Sequence, residues 1–204
     1  MGMTLTVSQQ VTAGGKSFTE RRTLTGDALN SREVSVPAAK TGTLGTRTND
    51  TTGTLTMVSG HGITTGARLD IYWTTAGVYY ARRGVVVGTV SGTSVPISGG
   101  SGDALPLATA ALTAAVPQEE EFTLNGDDAV ALVCYTAARG TFVFAESDNT
   151  EVWSRVLLAG GVGNWLTNGP EANPVEGASV AKVFLSHADS TGAKTMRLAA
   201  LYNS

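Results

Sequence analysis

The chain is predicted to be all-β, and three observations carry that expectation. Threonine, valine and glycine recur in short runs broken by turn residues, the pattern of many short strands rather than helices. The longest apolar runs, Ala129 to Cys134 and Val156 to Val162, have the length of strands and fall far short of the roughly 20 residues that a membrane-spanning helix needs. Apolar residues make up 42% of the 204 and charged residues 15%, enough apolar content to bury a core.

The opening segment predicts three strands: Thr4 to Thr12, Lys16 to Thr25 after the turn Ala13-Gly14-Gly15, and Arg32 to Pro37 after Gly26-Asp27. Three strands do not enclose a core by themselves. The stretch Thr41 to Gly53 has no apolar periodicity and reads as a connector or a weakly paired edge ribbon. Five short strands follow with glycine-bearing turns between them: Thr54 to Val58, Arg68 to Trp73, Val78 to Arg82, Val85 to Val90 and Ser94 to Ile97. That set suits a small barrel. A second connector, Ser98 to Asp103, leads into Ala104 to Pro117, an alanine-rich segment ambiguous between helical turn and strand. Six further strands are expected at Glu119 to Leu124, Ala129 to Tyr135, Thr141 to Ala145, Glu151 to Leu158, Ser179 to Ser186 and Lys194 to Tyr202.

The first three strands need partners and the last six welcome added edges. The expected architecture is therefore a discontinuous, jelly-roll-like β-sandwich from residues 1–40 and 104–204, with a small β-barrel domain inserted at 41–103. Three units in series are the competing layout. Polar, glycine-bearing connectors on both sides predict an independently folded barrel standing away from the sandwich, with few apolar contacts between them.

A net charge of −3 and a pI near 5.4 supply no field for phosphate backbones, and the pairs Arg21-Arg22 and Arg82-Arg83 are isolated, so nucleic acid is not expected as a partner. The N-terminal residues lack a basic region followed by an apolar stretch, so neither a signal peptide nor a membrane partner is expected, and folding in a reducing cytoplasm fits. Cys134 is the single cysteine, which rules out an internal disulfide and reads as a small buried hydrophobe.

Catalytic machinery is not legible. The two histidines are His61 and His187. Gly60-His61-Gly62 reads as a turn whose imidazole bonds locally. Ser186-His187-Ala188-Asp189 offers triad residue types, but neighbours in sequence rarely converge as a triad requires. Asp127-Asp128 after Asn125-Gly126 reads as a turn before a strand rather than a calcium site. In Glu119-Glu120-Glu121, strand alternation sets Glu120 opposite its neighbours. Phosphate-loop, nucleophile-elbow and Cys-x-x-Cys motifs are missing. The expectation is a protein that is not an enzyme, with no cofactor and no bound metal.

Two features rise above this background. Ala159 to Ala178 reads as a long loop carrying Asn164, Trp165 and Asn168, where the indole either pins the loop internally or docks into a partner. The middle unit concentrates Tyr72, Trp73, Tyr79, Tyr80, Arg82 and Arg83, a composition enriched at interfaces. The interface or ligand-binding candidates are accordingly Tyr79, Tyr80, Arg82, Arg83, Asn164, Trp165 and Asn168.

The stretch Ser59-Gly-His-Gly-Ile-Thr-Thr-Gly-Ala-Arg-Leu-Asp-Ile-Tyr-Trp73 resembles the small β modules of tailed-bacteriophage virion proteins, in which a His-Gly-hydrophobic-x-x-Gly turn precedes a strand. It covers residues 53 to 98, and Ala67 stands where such turns often carry an acidic residue. The resemblance implies a virion structural protein made in the bacterial host cytoplasm, a capsid decoration (cement) protein or a tail or connector component. Its partners would be capsid or tail proteins and further copies of itself in a homo-oligomer. The alternative is a carbohydrate- or receptor-binding module, with Trp165 stacking on a sugar and Asn164 and Asn168 hydrogen-bonding it.

Overall fold

A computed structural model describes residues 3–13, 16–26, 28–123, 129–145, 151–159, 162–166 and 180–202. It is all-β, with no helix among the described residues.

The middle of the chain forms a closed six-stranded barrel. Its strands are β4 (Lys40–Arg47), β5 (Gly53–Met57), β6 (Arg68–Thr75), β7 (Val78–Val87), β8 (Ser94–Ser98) and β10 (Ala111–Ala115), and the two-residue β9 (Ser101–Gly102) adds to β7. The order β6-β10-β4-β5-β8-β7 returns to β6 through a β6–β7 pairing. Leu44, Leu55, Leu69, Ile71, Val85 and Val95 are fully inaccessible inside it.

Three expectations change here. Thr41 to Gly53 is not a connector: it supplies β4, a turn and the start of β5. Its apolar pattern is faint because one large side chain, Leu44, fills the inward position, while its glycines admit the neighbouring strand. A Cβ on Gly42 would lie 2.7 Å from the Thr56 carbonyl oxygen, and one on Gly53 would lie 2.5 Å from that of Thr46. The ambiguous alanine-rich segment contains β10, which sits between β4 and β6 and closes the barrel. The strands expected at Val78 to Arg82 and Val85 to Val90 are one strand, β7, running through an irregularity at Gly84.

The remaining strands make three sheets. β1 (Met3–Ala13) and β2 (Lys16–Gly26) pair with each other as a ribbon, so of the three opening strands only β3 (Ala28–Val36) joins a larger sheet. One four-stranded sheet has the order β15-β12-β17-β3 and the other β11-β16-β13-β14. Their members are β11 (Gln118–Thr123), β12 (Ala129–Thr136), β13 (Gly140–Ala145), β14 (Glu151–Leu157), β15 (Val162–Leu166), β16 (Val180–His187) and β17 (Lys194–Tyr202). All pairings are antiparallel. β15 lies within the segment expected to be a loop, so Asn164 and Trp165 occupy a strand, opposite Val133 and Leu132.

The two sheets touch through specific residues. A Cβ on Gly140 of β13 would lie 2.5 Å from the Met196 Cε of β17. His187 Nε2 of β16 lies 3.0 Å from the Val36 carbonyl oxygen of β3. Arg32 of β3 donates to Glu120 of β11 at 3.0 Å.

Candidate functional site

The site grows from the two faces of β6. Strand alternation sends Leu69, Ile71 and Trp73 into the barrel core, and the intervening Arg68, Asp70 and Tyr72 point out of it. In an isolated barrel those three would be wet. Here Asp70 and Tyr72 are each 1% exposed, because the β11-β16-β13-β14 sheet packs over them.

The contact is a chain of oxygens. Gly84 N–H donates to Asp70 Oδ1 at 2.8 Å, and the Ser186 hydroxyl donates to Oδ2 at 2.5 Å. Ser186 Oγ lies 2.6 Å from the Tyr72 hydroxyl, which donates to Thr141 Oγ1 at 2.6 Å. Burial raises the Asp70 pKa despite these hydrogen bonds and the nearby Arg68 and Arg83. Burial and the neighbouring Asp70 charge also hold Tyr72 firmly protonated. Buried polar groups are tolerable when every member has a partner, and this chain supplies one at each step.

Charged groups flank it. The Arg68 guanidinium lies over the Phe184 ring, 4.6 Å from its centroid. Arg83 reaches across to Glu151 of β14 through Nε at 3.0 Å and a terminal nitrogen at 2.7 Å. Burial opposes ionisation of Glu151, but the hydrogen bonds from Arg83 and Ser154 prevail and keep its pKa below the ordinary value. The expectation of a barrel standing apart is therefore corrected: polar and charged side chains of β6 and β7 bind it to the sheet. Alternation on β6 carries the contact.

Beside this network lies an open cleft of about 740 Å³ between the barrel and the β12–β13 and β16–β17 turns, lined by Thr41, Tyr72, Trp73, Tyr79, Thr113, Arg139, Asp189 and Lys194 among others. Arg139, in the turn before β13, spans it. Its guanidinium lies 5.2 Å from the Tyr72 ring centroid and 4.8 Å from that of Tyr79, and it donates to the Trp73 carbonyl oxygen at 3.3 Å. The backbone holds that turn in place, since the Arg139 carbonyl oxygen accepts from Ala188 N–H at 2.8 Å. Burial lowers the Arg139 pKa, while the two tyrosines oppose the shift.

The predicted residues fall in different places. Tyr79 is 59% exposed at the cleft. Tyr80 faces the other way, stacked on Trp73 with centroids 5.7 Å apart and planes 9° apart. Arg82 is buried, donating to the carbonyl oxygens of Gly99 at 2.6 Å, Gly100 at 2.7 Å and Asp103 at 2.9 Å. It holds the β8–β9 turn rather than meeting solvent. Arg83 is engaged with Glu151. Asn164 and Trp165 lie on β15, and Asn168 lies outside the described residues.

The local readings can be placed as well. His61 is buried in its turn, accepting from Ile63 N–H at Nδ1 and lying 3.0 Å from the Gly92 carbonyl oxygen at Nε2. Ser186, His187 and Asp189 diverge: Ser186 bonds Asp70, His187 meets Val36, and Asp189 binds Thr191 and Lys194. Glu119 pairs with Lys182 and Glu120 with Arg32, on opposite faces of β11. Cys134 is buried. Asp127 and Asp128 lie outside the described residues. Sequence reasoning missed Asp70, Thr141, Ser186 and Arg139. Asp70 alone left a trace, as a lone acid amid the apolar run Leu69 to Trp73.

Models of known protein families yield no match to this chain, and no curated protein matches it significantly.

Proposed function

We propose that the chain is a non-catalytic structural protein of a tailed-bacteriophage particle, a capsid decoration protein that assembles as a homo-oligomer, with a tail or connector component as its nearest variant. One observation carries this: the strand pairing outside the barrel is nested. Taking β3 and β11 to β17 in order, the first pairs with the last (β3–β17), the second with the seventh (β11–β16), the third with the sixth (β12–β15) and the fourth with the fifth (β13–β14). The β12–β17 and β13–β16 pairings join neighbouring layers of that long hairpin. A nested hairpin wound into two four-stranded sheets supports the reading of a jelly-roll sandwich, an architecture used by viral capsid domains and by lectins. On this reading the barrel is an insertion between the first and second strands. It would be made in the bacterial cytoplasm and act in the virion, bound to capsid or tail proteins and to its own copies, with neither nucleic acid nor membrane as partner.

The test uses light scattering on the purified chain and co-sedimentation with particles from the phage that encodes it, with its gene deleted. An oligomer that binds those particles is expected. A strict monomer with no affinity for them overturns the reading.

A second reading, carbohydrate binding, is favoured by the exposed Tyr79 ring beside the Arg139 guanidinium in a hydroxyl-bearing cleft, since sugars stack on aromatic faces and accept and donate hydrogen bonds at the edges.

A further inference from the structure

We propose that the cleft between the barrel and the β12–β13 turn binds a carboxylate-bearing saccharide, with Arg139 meeting the carboxylate and Tyr79 stacking on the sugar ring. This rests on the carbohydrate reading and names its ligand class and its residues, which differ from the Asn164, Trp165 and Asn168 set that the sequence suggested.

Charge sets Arg139 apart from the ion-paired arginines. Arg32, Arg47, Arg83 and Arg197 are each ion-paired with an acid, to Glu120, Asp50, Glu151 and Glu33 respectively. Arg82 is saturated by backbone carbonyls. Arg139 has neither arrangement. Among the described residues it has no acidic partner, and its one hydrogen bond is the long one to the Trp73 carbonyl oxygen. Its Nε is buried without a partner, so the donors within a ligand's reach are at the terminal nitrogens. A guanidinium fixed between two tyrosine faces is preorganised, because its planar fork cannot swing away and matches a carboxylate through two parallel N–H donors.

Ionisable neighbours do not fill that role. Asp189, the acid lining the cleft, accepts from Thr191 N–H and hydroxyl at 2.7 and 2.6 Å and pairs with Lys194 at 3.0 Å. Asp70 lies beneath Tyr72, bonded to Ser186 and Gly84. No acid among the described residues complements Arg139, which leaves its terminal donors to water or to a ligand.

The rest of the lining selects a sugar. Tyr79 turns one ring face to Arg139 and is 59% exposed, a platform for the C–H face of a pyranose. The hydroxyls of Thr41 and Thr74 stand nearby on exposed strand positions. A cleft of about 740 Å³ is in the range of small-ligand sites and accommodates an oligosaccharide end, whereas an extended acidic peptide needs a row of cations rather than one.

The test titrates the full chain with sialyllactose and with tetragalacturonate, each against an uncharged counterpart (lactose and the methyl-esterified tetragalacturonate), and with a tetraglutamate peptide. Protein-observed chemical shifts and calorimetry provide the readout, and the variants are Tyr79→Ala, Arg139→Gln and Arg139→Lys. The expected result is binding of at least one acidic saccharide, weakened about tenfold or more by loss of the carboxylate or by Arg139→Gln, with Arg139→Lys retaining part of it. Tyr79→Ala, at an exposed ring, should abolish binding with the thermal transition unchanged, which keeps the test valid if Arg139→Gln fails to fold. Equal binding of charged and uncharged saccharides overturns the acidic class and leaves the carbohydrate reading standing. No saccharide binding overturns both. Binding of the peptide as tightly as the saccharides overturns the sugar assignment.

Discussion

Burial raises the Asp70 pKa above its ordinary value of 3.8, outweighing hydrogen bonds from Ser186 and Gly84 and the pull of Arg68 and Arg83. The sign of the consequence follows from linkage. A carboxyl whose folded pKa is raised stabilises the fold fully below its unfolded pKa and loses that contribution as pH rises through the folded value. Glu151 and Asp189 act oppositely, since their depressed pKa values give stability above the unfolded values that is lost as pH falls through the folded ones. Asp70→Asn isolates the first effect. An amide there can accept from Gly84 and donate to Ser186, whose hydroxyl then donates to Tyr72 and so on to Thr141, so the oxygen chain survives. Denaturant unfolding of both proteins from about pH 3.5 to pH 8 should show the variant gaining on wild type as pH rises. Parallel profiles would show that Asp70 titrates alike in both states.

At the scale of elements, β6 and β7 carry most of what is unusual. On β7, Tyr80 and Arg82 face inward before the irregularity, and Val85 and Val87 face inward after it. The register passes from Ile71↔Arg82 to Leu69↔Val85, so Arg83 and Gly84 together oppose Asp70 as a β-bulge does. The bulge lets one strand fill the core at both ends while sending Arg83 outward to Glu151 and the Gly84 N–H to Asp70. Gly84 has φ +66°, and a Cβ there would meet the Arg68 guanidinium at 2.9 Å. Gly84→Ala is expected to cost roughly 1–3 kcal/mol through left-handed strain and displacement of Arg68. Chemical denaturation measures the loss. A change within experimental error would mean that the bulge relaxes without disturbing the network.

For the whole molecule, the barrel begins and ends on adjacent strands, with Lys40 opposite Ala114. A sequence reading that ended the barrel at residue 103 left β10 outside it. Deleting 42–103 would leave Ala111–Ala115 without β4 and β6 as an unpaired apolar strand, so that protein should self-associate in light scattering. Replacing 41–113 instead by a turn of about four residues joins two chain positions that already lie side by side in the sheet. Thr141 and Ser186 would then face water, which satisfies their hydroxyls, and a soluble, cooperatively folding pair of sheets is expected by calorimetry and light scattering. Aggregation of that protein would show that the barrel completes the core of the sheets.

The sequence alone determined the all-β class, the existence of a barrel in the middle of the chain and most strand positions, because alternation and turn residues are local signals that each strand carries by itself. It also placed His61 in a self-bonded turn and Glu120 opposite its neighbours, for the same local reason. Tertiary structure alone decided that the Thr/Gly stretch at 41–53 holds a tightly paired strand and a turn, because small residues become informative only when another backbone lies against them. It also decided which member of each adjacent pair turns inward, Tyr80 and Arg82 rather than Tyr79 and Arg83, since alternation separates neighbours without saying which face is buried. The oxygen chain joins Tyr72 to Thr141 across 69 positions and Asp70 to Ser186 across 116, and Arg139 reaches the Trp73 carbonyl across 66. Burial and partnering at that distance depend on how the sheets pack, which no pattern within a single segment encodes.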